Sequence, residues 1–510
     1  MKSVLGKQNL LHSRLARWPL NRMAVLMLAA GAAMANVGSV QAETVLGATP
    51  AAELNPAELP EADQTVQAKP ADQWTGVWNR STLLGDMGGL RSSLGQHGIT
   101  LGLTEDSEYL SNVSGGLKHG SEYHGVTTLT LGLDTQRAGL WEGGSANVSL
   151  LDIHGDSFSA DHVGSWQTSS GTEAEATTRL WEAWYQQKLF NGKADIKIGQ
   201  QSIDQEFMVS QYAGTFMGTM FGWPAIPSYD MTAGGPAYPL SGLGVRLRGK
   251  LTDQLSVLGG VFAGDPAGTS NSDSQQANKH GTAFNLHGGS LWISELQYGL
   301  NQPGDGQLDD GKPKGLPGTY KLGTWYQNAK FGDQRYDDTG LSLADPNRSG
   351  NAAQHRGNYS IYAVADQMLW RPAEDSSRTL NAFTRLMWAP GDRNQISFSA
   401  NAGITLTAPF NGHDSDVAGL AVGYVKVGNH LRAYDEDTAT ANGNPLYPVR
   451  RDETFVEATY QYQLTPWWQL QGDLQYTLKP GAGTVSSTDS TQTQRIPNAW
   501  VVAVKTVITF

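Results

Sequence analysis

The sequence contains no cysteine. A disulfide framework, a thiolate metal site and a cysteine nucleophile are therefore excluded. Charge is also scarce: Asp, Glu, Lys and Arg make up 16% of the 510 residues, against roughly 25% in soluble globular proteins. No apolar run reaches the ~18 residues of a membrane helix, and mean hydropathy is -0.38. A helical membrane protein is thus excluded, whereas a barrel that crosses with strands is not. Glycine is in excess, at 60 residues, and argues against long helices.

The formal charge is -12, yet the first 42 residues carry five basic groups (Lys2, Lys7, Arg14, Arg17, Arg22) and no acidic one. Beyond them 31 basic groups face 48 acidic ones, a charge of -17. With no Lys/Arg cluster in that remainder, nucleic acid is not a partner. The basic start, the apolar stretch Met23 to Ala35 and the exit Ser39-Val40-Gln41-Ala42 have the layout of a secretory signal cleaved near Ala42. An earlier site at Ala33-Met34-Ala35 is the alternative. Residues 43–76 then read as a Pro/Ala/Glu-rich linker (Pro50, Pro56, Pro60, Pro70) with little to bury. A short segment, 77–98, leads into the remainder, 99–510.

From about Ile99 onward one unit recurs, about ten residues of apolar/polar alternation bounded by Gly, Pro, Asn or Asp. Alternation of period two puts successive side chains on opposite faces of a sheet. In Trp467 to Leu478, Trp468, Leu470, Leu474 and Tyr476 share one face and Gln469, Gln471, Asp473 and Gln475 the other. The tally is about sixteen such strands. Turns after even-numbered strands are mostly short and those after odd-numbered ones mostly long, with 300–318 and 390–394 as exceptions. Strand length, loop asymmetry and aromatic residues near strand ends (Trp141, Trp388, Trp467, Trp468, Trp500) match a transmembrane antiparallel β-barrel, an all-β fold. The last strand runs from Trp500 to Phe510 with Trp500, Val502, Val504, Ile508 and Phe510 on one face. Left open, that edge would be sticky; closure against the first strand removes it. The same strand, ending at Phe510, is the expected handle for a barrel-assembly machinery, and outer-membrane lipid the expected surroundings.

Five stretches then resemble a known family: Leu83-Leu84-Gly85-Asp86-Met87-Gly88-Gly89-Leu90-Arg91, Leu180-Trp181-Glu182-Ala183-Trp184-Tyr185-Gln186-Gln187, Lys197-Ile198-Gly199-Gln200, Phe221-Gly222-Trp223-Pro224 and Gly234-Gly235-Pro236-Ala237-Tyr238-Pro239. In order and spacing, from about Trp78 to Phe510, they are similar to the OprB-type carbohydrate-selective porins of Gram-negative outer membranes. The resemblance implies a sixteen-stranded barrel that passes glucose and other small sugars. Met87 departs from it, standing where the motif leads us to expect Trp.

A sixteen-stranded barrel is wide enough to leave an aqueous channel, so something must narrow it. The longest odd-to-even connection, Ser202 to Leu240, would be the third external loop. Its Phe207, Tyr212, Phe216, Phe221, Trp223, Tyr229 and Tyr238 are too apolar for a loop in water, and we expect it to fold into the lumen. An external cap or a subunit contact is the alternative. Strand parity points Arg246, Arg248 and Lys250 inward, with Asp195, Lys197, Glu182, Trp184, Gln186 and Lys188. Charges of both signs suit a neutral sugar, whose hydroxyls accept from Arg and donate to carboxylates and whose C–H face stacks on aromatics. The expected constriction is Arg246, Arg248, Glu182 and Trp184 with the loop's Trp223 and Tyr229; Lys188, Asp195 and Lys197 complete the site. Changing Arg246 or Arg248 to Ala should weaken sugar block and leave the barrel folded.

Competing readings are a carbohydrate-active enzyme using Glu182 with Glu206 and an adhesive barrel with a plugged lumen. Gly155-Asp156-Ser157 with Asp161-His162 imitates a hydrolase site but reads as a polar loop. The run Gly244 to Leu251 imitates a phosphate loop but has Leu251 where Ser/Thr is required. The eleven histidines lack metal-ligand spacing, so no metal or other cofactor is expected. Asp305, Asp309 and Asp310 offer a calcium site without the spacing of a known loop. Sequence leaves monomer and homo-oligomer both open.

Overall fold

The structure, a computed structural model, describes residues 76–268, 273–302, 315–373 and 376–510. The targeting segment, the linker up to residue 75 and the acidic trio Asp305, Asp309 and Asp310 lie outside the described residues.

Sixteen antiparallel strands form one closed barrel in which each strand pairs with its neighbours in sequence and β1 closes against β16. The first eight are β1 (Ile99–Ser114), β2 (Gly120–Asp134), β3 (Gly144–His154), β4 (Thr177–Leu189), β5 (Ala194–Gln201), β6 (Gly242–Lys250), β7 (Leu255–Ala263) and β8 (Ser290–Leu300). The second eight are β9 (Gly318–Asp337), β10 (Ala352–Trp370), β11 (Thr379–Trp388), β12 (Ile396–Thr407), β13 (Val417–Val427), β14 (Asp452–Thr465), β15 (Trp468–Leu478) and β16 (Ala499–Thr509). A one-residue slip would turn every apolar side chain into the lumen, so alternation fixes the register. Tyr109 lies opposite Val504 and Ser111 opposite Val502 across the seam, the two strands meeting outward face to outward face. Leu474, Val504, Leu420 and Leu322 are all exposed on the outer surface, where an aqueous protein would hide them.

The ribbon β9–β10 extends well past the limits that alternation predicts, from 328 to 337 and from 358 back to 352. Beyond the bilayer both faces of a ribbon meet water, so the apolar/polar rhythm that marks a membrane strand is no longer required. The chain end is also tied down. Leu83 N donates to Thr509 O at 2.8 Å, and Arg91 reaches the backbone oxygen of Phe510 as well as Gly85 O at 2.8 Å. A short helix, α1 (Leu90–Gln96), then leads into β1.

One expectation needs correcting. The barrel is apolar outside, but its lumen is not wet all round. Leu258, Phe262, Ile293, Trp325, Tyr362, Val364 and Met387 point inward from β7 to β11 and are buried, packed with Ile203, Phe207, Met208, Trp223 and Ile226 of the connection between β5 and β6. An inward loop rich in aromatics needs an apolar floor, and these strands supply one by being apolar on both faces.

Candidate functional site: a mixed-charge wall facing an inward loop

The third external connection, L3 (residues 202–241), folds into the barrel and is fastened to the far wall. Its backbone amides donate to wall carboxylates: Met208 N to Glu295 at 2.8 Å, Gln211 N to Asp366 at 3.1 Å, and Met217 N and Gly218 N to Glu457 at 2.6 and 2.9 Å. A Cβ at Gly218 would lie 2.9 Å from the Glu457 carboxylate and from the Phe455 ring, so only glycine allows this approach. The loop's carbonyls accept from wall donors. Arg385 on β11, buried, reaches Met208 O at 2.8 Å, Gly222 O at 3.0 Å, Phe221 O at 3.1 Å and also Met220 O. Gln461 and Gln471 share Thr215 O at 3.1 and 3.0 Å. Unpaired buried polar groups are costly, and these partners of the loop are supplied by five strands, β8, β10, β11, β14 and β15.

The opposite wall, β4–β6, holds the residues that parity selects. Asp195, Lys197, Arg246 and Arg248 stand in two register rows, Asp195 opposite Arg248 and Lys197 opposite Arg246. Asp195 pairs with Arg246 and takes Arg248 Nε at 2.8 Å. Arg246 also reaches Glu206 of L3 at 2.6 Å and Gln186 at 3.3 Å, and Lys197 pairs with the same Glu206. Burial alone would raise the Glu206 carboxyl, but Lys197 and Arg246 outweigh it and hold the group below its ordinary pKa. Lys197 Nζ lies 4.3 Å from the Trp184 ring centroid, within cation–π range. Trp184 Nε1 donates to Glu182 at 3.1 Å, and Glu182 accepts from Ser202 N at 2.9 Å. Gly199, at φ +134°, lets β5 pass Trp184; a Cβ there would fall 2.3 Å from Ala183 O. Arg246 is only 2% exposed, whereas the Arg248 side chain is 44% exposed. Lys188, opposite Asp195 in register, is exposed near the short turn.

Six of the nine expected residues (Glu182, Trp184, Asp195, Lys197, Arg246, Arg248) therefore meet in one network, with Lys188 at its edge. Trp223 and Tyr229 do not join it. Trp223 is buried against the far wall, its Nε1 donating to Gly234 O at 3.0 Å. Tyr229 stacks near Trp166 with centroids 5.5 Å apart and donates to Trp166 O at 3.1 Å. Tyr229 lines instead an outer cavity of about 680 Å3 with Lys330, Asp333, Arg348, Arg393 and Tyr434. An aromatic on an inward loop can pack either way, and the apolar floor draws these two away from the charged wall.

Sequence reasoning missed a second inward element. L2 (residues 155–176) crosses to β14, β15 and β1: Trp166 N and Gln167 N donate to Glu453 at 2.9 and 2.7 Å, Gln475 Nε2 reaches Ser169 O at 2.8 Å, and Thr172 bonds Glu108 at 2.8 Å. The signal was Phe158, Val163 and Trp166, apolar residues in a loop otherwise polar. His162, of the stretch that imitates a hydrolase site, contacts Glu122 at 2.9 Å. Glu206 was weighed only as an acid/base partner of Glu182; in the structure it bridges Lys197 and Arg246 instead.

A model of the carbohydrate-selective porin, OprB family, matches residues 118–510. Porin B of Pseudomonas aeruginosa is 24% identical over 425 residues, covering 79% of this chain and 88% of that protein. A putative porin, QuiX, of Acinetobacter baylyi is 22% identical over 467 residues, covering 85% and 94%. The high-pH structure of Pseudomonas putida OprB superposes with a TM-score of 0.73 at 22% identity, over 86% of this chain and all of that one. The closed sixteen-stranded barrel, the loop folded within it and a family match over more than three quarters of the sequence agree: the chain belongs to the OprB family of carbohydrate-selective outer-membrane porins.

Proposed function

We propose that glucose and similar small neutral sugars diffuse passively between L3 and the β4–β6 wall, with Arg248, Arg246, Lys197, Lys188, Asp195, Glu182 and Trp184 as the lining that selects them. The observation that carries this reading is charge balance. Lys197, Arg246 and Arg248 face Glu182, Asp195 and Glu206, three formal charges of each sign in one connected network. A single-sign ring draws ions, whereas a compensated one offers donors and acceptors without a net field. A sugar hydroxyl can exchange into the contact that the exposed Arg248 makes with Asp195, while the buried Arg246, Lys197 and Glu182 stand behind it, so that entry and release both stay cheap. Trp223 and Tyr229 act at one remove, holding L3 in place.

Swelling of liposomes carrying the mature chain tests the reading. Glucose should enter faster than a charged solute of similar size; equal rates overturn it. We assign no catalysis to the Glu182–Glu206 pair, and hydrolysis of a model glycoside abolished by Glu182→Gln would reverse that assignment. Export is proposed to end with cleavage after Ala42, read by the amino-terminal mass of the mature protein, with residues 43–76 left as a periplasmic linker. The strand ending at Phe510 is proposed as the contact for the barrel-assembly machinery, so removal of Phe510 should lower the amount of assembled barrel.

A further inference from the structure

The cavity of about 680 Å3 beside Tyr229 is not part of the charged wall. Its lining comes from L3, the end of β9, the start of β10 and the connections β9–β10, β11–β12 and β13–β14. Each of these connections runs from an odd to an even strand, as L3 does, so the cavity opens at the external mouth. Its volume falls within the range of small-molecule sites, about 300–1,000 Å3.

The walls of the cavity are held by side-chain ties. Asp333 accepts from His355 Nε2 at 2.8 Å and from His430 Nδ1 at 2.9 Å, which joins β9 to β10 and to the helix Asn429–Ala441. Arg335 adds two bonds to Asp437 of that helix, at 2.8 and 3.0 Å. The same ties use up charge. Asp333 also accepts from Arg335 N and Tyr336 N, at 2.8 and 2.9 Å, and Arg393 is spent on Asp392 at 2.8 and 2.9 Å. Asp230 is 4% exposed, and burial raises its carboxyl well above the ordinary range, so it is uncharged. Lys330 stands four residues after the outward Tyr326 and shares its face of β9. That leaves Arg348 at the exposed edge, giving one bond, to Asp345 O at 3.1 Å.

Polar capacity, unlike charge, is left over. Among the described residues, the side-chain amide of Gln395 and the hydroxyl of Tyr434 have no hydrogen-bond partner, although both residues line the cavity. Tyr229 and Phe331 line it as well.

We propose that this cavity is a capture site for a neutral sugar of one or two rings, filled from outside before the sugar reaches the β4–β6 wall. The sugar class rests on the function proposed above. Hydroxyls of such a ligand both donate to and accept from Gln395 and Tyr434 and accept from Arg348, while its C–H face lies against Tyr229 and Phe331. With the other lining charges compensated, a carboxylate on the ligand gains little. Binding is weak, since a sugar bound for the channel has to leave again.

The absence of cysteine makes the test direct, because each variant carries a single thiol. Ala352→Cys places it in the cavity lining, and Asn347→Cys places it on the same connection outside the lining. Each variant, held in liposomes, would be treated with a small water-soluble maleimide, with and without glucose. Glucose should slow the reaction of Ala352→Cys severalfold and leave Asn347→Cys unchanged, and gluconate should protect much less. Adding Gln395→Ala and Tyr434→Phe to Ala352→Cys should remove most of the protection. No slowing at Ala352→Cys, equal slowing at both thiols, equal protection by gluconate, or protection undiminished in the combined variant overturns the proposal. Liposome swelling separates this from the channel reading: glucose entry without protection sinks the mouth site alone, and protection without glucose entry sinks the channel reading alone.

Discussion

The two sides of the lumen use charge in opposite ways. On β8 to β15, Glu295, Asp366, Glu457 and Arg385 are spent on the backbone of L3, carboxylates taking amides and the guanidinium taking carbonyls. On β4 to β6, Asp195, Lys197, Arg246 and Arg248 meet side chains of the opposite sign, while Glu182, like the first set, takes an amide of L3, Ser202 N. A backbone partner cannot leave without moving the loop, so the first set builds the constriction. A side-chain partner that is exposed, as Arg248 is, can exchange contacts with a passing hydroxyl, so the second set is the one we propose to read what passes. An inward charge is therefore not by itself a sign of a channel residue; what it is bonded to decides.

The largest effect should come from the building side. Arg385→Ala would leave four L3 carbonyls without their donor in a buried setting, a loss on the order of 1–3 kcal/mol for each that finds no other donor. We predict that L3 comes away from the wall, with single-channel conductance in planar bilayers raised several-fold and glucose preference lost. Unchanged conductance would show that L3 is held by its apolar floor alone. Next is Arg246→Ala. The sequence suggests a change confined to sugar block, but Arg246 is 2% exposed and compensates both Asp195 and Glu206. Its removal leaves two carboxylates facing each other, so we predict a lowered thermal midpoint and a shift toward cation selectivity, measured as reversal potential. Arg248→Ala should be milder. That side chain is 44% exposed and gives one bond to Asp195, so sugar block should weaken by roughly the ~1 kcal/mol of one hydrogen bond with the melting temperature unchanged. If Arg246→Ala and Arg248→Ala behave alike, the distinction between a buried tie and an exposed contact is wrong.

The strands and the β4–β6 wall were legible because both follow from parity. A closed sheet makes every second residue face lipid, and Ile196, Ile198, Val245 and Leu247 mark that face unambiguously, which fixes Asp195, Lys197, Arg246 and Arg248 on the other. The building side was not legible for the same reason. Ile293 and Trp325 point inward between the outward Trp292 and Tyr326, so alternation is lost and no face can be named from the sequence. Trp223 and Tyr229 went astray because the sequence shows an aromatic loop without showing the floor it lands on. A helix in the seventh external connection, α2 (Asn429–Ala441), also passed unnoticed. Only Leu431 and Asp435 of it are buried, so its apolar periodicity is slight.

The smallest effect sharpens the comparison at L2, which is fastened like L3 but carries a titratable latch of its own. Glu173 accepts from Ser159 N and Ser159 Oγ, both at 2.7 Å, and from Ser170 N at 3.0 Å, closing the two ends of the loop on each other. Burial pushes this carboxyl up to about 7, against the pull of those same donors. A carboxyl raised in the folded state favours its neutral form there. Its contribution is full below the ordinary carboxylate range and is lost as pH rises through about 7. We therefore predict that amides of residues 157–171 exchange severalfold faster at pH 8 than at pH 6 once intrinsic rates are divided out, and that Glu173→Gln flattens the difference. In L3 the anchor at Glu206 should show no such change, because that carboxyl lies below its ordinary pKa beside Lys197 and Arg246 and stays ionised over that range. A pH response of L2 that survives Glu173→Gln would mean that the latch at Glu173 does not control L2.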